Sequence, residues 1–170
     1  MNDANNAPIK VLPASVVWLG YGGLLPFVAL AAGSFTAAEY AALCRIALVL
    51  YGALILSFVG ALHWAFAMTL PDLSAAKRTE CFLWSVVPAL LAWPAAMLMA
   101  VSAQISFASI FFGYKVAAAP LIIGFVANYI QDIRLARVAS LPVWYLPLRL
   151  RLTAVACVCL AAVSFTHFLR

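Results

Sequence analysis

The stretch Ile55–Ala67, ILSFVGALHWAFA, decides how this chain is read. Nearly every residue is apolar, and the apolar run extends from about Leu43 to about Leu70. A helix needs about 20 such residues to cross the hydrocarbon of a bilayer. Yet the stretch holds His63, an ionisable residue that hydrocarbon does not solvate. The run points to lipid, and the histidine points to protein or ligand.

Outward from this segment the pattern repeats. Apolar runs cover about residues 12–32, 43–70, 82–101, 107–130 and 148–168. Hydrophobic residues make up 68% of the 170 residues and charged residues 9%. A soluble domain has about 25% charged residues, so a water-facing surface cannot be built here. A spanning backbone must satisfy its own hydrogen bonds, and the runs lack the alternation of a transmembrane barrel. The expected fold is all-α, a polytopic transmembrane helical bundle with five spans. Residues 1–11 form an N-terminal tail, and residues 12–170 form one bundle in contact with the lipid bilayer. The first run reads as a span rather than a cleaved leader, because GYGGLLP interrupts it and its flank is not basic. Pro26 and Pro120 are expected to kink their helices.

The net charge of +5 does not imply nucleic acid. The basic residues lie in short connections, where membrane topology uses them. Lys10, Lys77, Arg78, Arg134, Arg137, Arg149 and Arg151 fall on one side; Arg45 and Arg170 fall on the other. Positive loops face the cytoplasm, which predicts a cytoplasmic N-terminus and a periplasmic C-terminus in a bacterial inner membrane. Trp18, Trp144 and Tyr145 then lie near the cytoplasmic interface. Lys115 falls inside the fourth span and must reach the outer surface along its own stem, or that span begins only at Val116 behind a re-entrant piece.

On a helical wheel Gly52, Ala53, Leu56, Ser57, Gly60, His63, Trp64 and Ala67 share one arc. Ala61 extends it at a spacing of four from Ser57. Small residues let membrane helices approach closely, so this arc, and Gly20, Gly22 and Gly23 in the first span, are assigned to helix packing. His63 therefore faces protein, or sits at the edge of that contact, rather than lipid. Other polar residues are expected at its level. Asn128 and Asp132 lie four apart near the end of the fourth span, and Arg149 and Thr153 lie four apart at the start of the fifth. His63, Asn128, Asp132, Arg149 and Thr153 form the candidate polar layer. It either pins helix ends, through an Asp132–Arg149 pair with His63 one layer deeper, or binds a ligand headgroup or relays protons.

No soluble catalytic motif accompanies the layer: GxSxG, HExxH and a phosphate-binding glycine loop are absent. Cys44, Cys81, Cys157 and Cys159 show no metal-ligand spacing and read as unpaired thiols. Neither a metal nor a cofactor is implied.

Four strings, VVWLGYGGLLPF, YGALILSFVGALHW, SVVPALLAW and WYLPLRLRLT, resemble in order and spacing the transmembrane protein 69-like family. This is a family of bacterial and mitochondrial membrane proteins with no assigned function. The likeness covers about Leu12 to Phe168, and its strings include His63, Arg149 and Thr153. Ala61 stands where the family's pattern has a second glycine. The resemblance implies a multi-span inner-membrane protein and brings no reaction, substrate or cofactor. The leading expectation is a membrane interaction or assembly protein, packing against a membrane partner or a second copy. The alternative is a binder or carrier of a small hydrophobic or protonatable ligand, such as a quinone, lipid or solute. An intramembrane enzyme ranks third. A polar cavity would favour the ligand readings; a dry interior with an exposed small-residue groove would favour the first.

Overall fold

Pro13 precedes the first helix, where its fixed φ and missing N–H cost nothing. The computed structural model describes residues 12–165. The tail at residues 1–11, Lys10, Arg170 and the expected end of the last span lie outside them. Among the described residues there are helices and no strand: α1 (Ala14–Gly22), α2 (Leu25–Gly33), α3 (Ala38–Thr69), α4 (Ala75–Ile105), α5 (Phe107–Ala136) and α6 (Tyr145–Ser164). Taken together, α1 and α2 make one span, and five segments are long and apolar enough to cross a membrane.

The first span is broken rather than kinked. Helix α1 stops at Gly22, and Pro26 sits in the first turn of α2. Proline has no N–H to offer the carbonyl four residues back, so the helix restarts. The Gly23 carbonyl exposed by the break accepts from the Tyr51 hydroxyl of α3 at 2.8 Å. By contrast, α5 runs on through Pro120 as an uninterrupted element. This excludes a span starting at Val116. Lys115 instead borders an open depression with Phe107, Phe111 and Phe112, toward the start of α5.

The later helices overrun the apolar runs. At about 1.5 Å per residue, the 31-residue α4 is about 47 Å long, against about 30 Å of hydrocarbon. Its start lies within PDLSAAKRTE, between the second and third apolar runs. Ser74 caps it there, its hydroxyl accepting from the Lys77 N–H at 3.3 Å. Within SAQIS, between the third and fourth runs, α4 continues to Ile105, and Ser106 alone joins it to α5. The Arg78 guanidinium bonds the terminal carbonyls of Ala67 and Leu70 in α3. A cation on these orphan carbonyls also suits the helix dipole.

Helices α3 and α5 form the centre; α3 packs against α2, α4, α5 and α6. Close approach depends on glycine. A Cβ at Gly60 would lie 2.6 Å from Cγ of Pro88, and one at Gly124 would lie 2.6 Å from Cδ2 of Leu56. Gly52, Ala53, Leu56, Gly60, His63 and Ala67 are buried, and Ser57 is half-buried with its hydroxyl on the Ala53 carbonyl. Three residues of the expected packing set sit elsewhere. Ala61 is exposed, and Gly22 is exposed with no atom within 4 Å of a built Cβ. Trp64, on the same arc, is half exposed and packs edge-on against Phe82 of α4, at 4.9 Å between rings. A ring that large fits the rim of a helix contact, not a seam built for glycine. Gly20 lies beside Leu152 of α6, and Gly23 at the break.

Candidate functional site: a buried ionic cluster beside a lateral cleft

Residues four apart share a helix face, and two such faces meet here. Helix α5 presents Gly124, Asn128 and Asp132, all buried; α6 presents Tyr145, Arg149 and Thr153, also buried. Asp132 and His63 are both 0% exposed. One carboxylate oxygen of Asp132 accepts from Arg149 Nε at 2.9 Å. The other accepts from the Tyr145 hydroxyl at 3.0 Å and lies 3.5 Å from His63 Nε2. Phe66, one turn after His63, packs edge-on to the rings of both His63 and Tyr145. A buried carboxylate is tolerable only when paired and hydrogen-bonded, and these donors supply both conditions.

Asn128 and Thr153 do not join the carboxylate. Asn128 Oδ1 accepts from Trp84 Nε1 at 3.0 Å, which ties α5 to α4. Nearby, Glu80 accepts from Lys77 at 2.6 Å and from Gln131 at 2.7 Å. The five residues of the expected layer thus lie at one end of the bundle, but only His63, Asp132 and Arg149 surround one carboxylate.

Tyr145, expected near the membrane interface, is buried and bonded to Asp132. Its spacing of four from Arg149 is the signal in the sequence for that placement. Arg45, counted above among the charges of the opposite side, is buried, with its guanidinium 4.1 Å from the centre of the Phe111 ring.

Several buried side-chain atoms in the layer have no hydrogen-bond partner among the described residues: Arg149 Nη2, Thr153 Oγ1, Asn128 Nδ2 and both ring nitrogens of His63. Arg149 and Thr153 also line a cleft of about 120 Å³ between the broken first span and α3, α5 and α6. Its walls are mostly apolar, with Phe27, Phe58 and Phe125 among them. Leu19 and Phe58, on its border, are strongly exposed on the outside of the bundle.

Residues 12–165, which hold the whole cluster and cleft, match the model of a family described as protein of unknown function (DUF3429). Transmembrane protein 69 of Xenopus tropicalis is 36% identical over 152 residues, or 87% of this chain and 53% of that protein. The chain belongs to the transmembrane protein 69-like family. It spans about half the length of that relative. No solved structure matches it. Within the family's matched region, the structure brings together His63, Asp132, Tyr145 and Arg149 from three helices.

Proposed function

We propose that this family member binds a small amphipathic molecule from the bilayer, with its polar group beside Arg149 and its apolar part in the cleft. The observation that carries this reading is the pair of unpartnered buried donors in residues that line the cleft. A buried donor without a bond costs about 1–3 kcal/mol, which a ligand acceptor would recover. Assembly with a membrane partner led the sequence reading because of the small-residue arc. Much of that arc is spent inside the bundle: Gly52 and Gly60 face Leu121 and Pro88, and Ala53, Leu56 and Ala67 are buried. This weighs toward binding. The same reading keeps the cluster end cytoplasmic in a bacterial inner membrane, supported by Lys77, Arg78, Arg134, Arg137 and Arg151 at that end.

Gly20→Leu tests the reading, since it adds a large side chain at the border of the cleft. Saturable binding of at least one amphipathic probe to the wild-type chain in detergent is expected, weakened at least about tenfold in the variant. Equal binding by both proteins would refute the cleft as the site.

A further inference from the structure

The charges around the cleft restrict what it can hold. Arg149 spends Nε on Asp132, so the two formal charges cancel within the pair. What remains on these two cleft-lining residues is hydrogen-bonding capacity without net charge: the buried Arg149 Nη2 and Thr153 Oγ1, on residues four apart on α6. Arg149 is 6% exposed and Thr153 7%, so water does not readily satisfy these atoms.

A ligand carboxylate would place a second anion beside Asp132 with one arginine shared between them. At low dielectric that repulsion is large, and the second charge would be poorly paired. A ligand ammonium would face the guanidinium at close range, with the Thr153 hydroxyl oxygen as the one acceptor beside it. An uncharged acceptor avoids both costs. A carbonyl oxygen has two lone pairs and is matched to two donors.

Size and wall chemistry narrow the class. An apolar cavity of about 150 Å³ takes one benzene ring. At about 120 Å³, and bordered by the strongly exposed Leu19, this cleft is sized for one ring or a short acyl segment, with the remainder outside. Phe27 and Phe125 already pack edge-on at 6.1 Å, offering aromatic surface to a flat group. Helix α1, on the mouth side, buries none of its residues, so little packing is lost if it yields to an entering tail.

We infer that the cleft binds an uncharged carbonyl group on an apolar body, the oxygen held between Arg149 Nη2 and Thr153 Oγ1, with the tail leaving past Leu19 into lipid. This inference rests on the binding reading above. Two sources share the chemistry, a quinone ring and an ester-linked lipid.

The test is equilibrium binding to the full chain in detergent with three probes: decylbenzoquinone, a short-chain diacyl phosphatidylcholine and decanoate. At least one carbonyl probe is expected to bind about tenfold or more tightly than decanoate, and the tighter of the two identifies the source. Thr153→Val keeps the side-chain shape and removes the hydroxyl; it is expected to weaken that probe about three- to tenfold, the size of one neutral hydrogen bond. Arg149→Lys keeps a cation beside Asp132 without the forked donors and is expected to weaken it by at least as much. Melting of the ligand-free variants separates lost binding from lost folding. If decanoate binds best, the carbonyl assignment falls while the binding reading stands. If no probe binds saturably, both fall. If a carbonyl probe binds but neither substitution changes its affinity, the Arg149–Thr153 site is overturned.

Discussion

At the scale of the residue, His63 is fully buried beside Asp132, but neither of its ring nitrogens makes a hydrogen bond among the described residues. The carboxylate takes its formal partner from Arg149 and a further donor from Tyr145, while His63 approaches only to 3.5 Å. The three contacts are therefore unequal. Removing one partner of a buried pair strands the other, at about 3–5 kcal/mol. Asp132→Asn and Arg149→Gln should each lower the thermal melting point in detergent markedly. The double variant should lose about 0.5–3 kcal/mol less than the sum of the single losses. Strictly additive losses would deny the pair. His63→Gln, removing a long contact but no close bond, should cost about 1 kcal/mol or less in the same measurement.

At the scale of the element, α3 and α4 approach through Gly60 and the buried ring of Pro88. A proline ring is rigid and cannot swing aside as a leucine side chain can, so even a methyl group at Gly60 forces the helices apart. Gly60→Ala should destabilise the bundle by about 1–3 kcal/mol through overpacking. Phe58, two residues earlier and 64% exposed, points away from this contact; Phe58→Leu should stay within about 0.5 kcal/mol. Similar melting of the two variants would contradict the Gly60–Pro88 contact. This seam was half legible in the sequence. The wheel placed Gly60 on the packing arc, but nothing local named Pro88 as the surface it meets. Helix ends were less legible, because caps and carbonyl bonds such as Ser74 on Lys77 and Arg78 on Ala67 extend helices beyond their apolar length.

At the scale of the whole molecule, five crossings carry the described ends of the chain to opposite sides. In the orientation proposed above, the side shared by the α3–α4 and α5–α6 connections is the cytoplasmic one. A reporter active only in the cytoplasm should work when inserted at Ser74 and fail when fused after Arg170. Equal activity at both positions would rule out an odd number of crossings between them. The cluster lies at the end bearing these connections, since His63 is near the end of α3, Asp132 near the end of α5 and Arg149 near the start of α6. Alternating helices make that shared level readable from chain order alone.

Hydrophobic length and charge placement, which are properties of local segments, were enough to determine a helical membrane bundle with five crossings. The four-residue spacings likewise put Asn128 with Asp132 and Arg149 with Thr153, because a helix face is a local property. Which faces meet is not local. Only the tertiary structure showed that Asp132 takes Arg149 and Tyr145 as donors while Asn128 turns to Trp84. The cleft was equally hidden: it lies between the interrupted first span and α3, α5 and α6, where elements distant in sequence meet. A one-dimensional pattern records what each helix offers, and the three-dimensional packing decides which offers are taken and which donors are left without a partner.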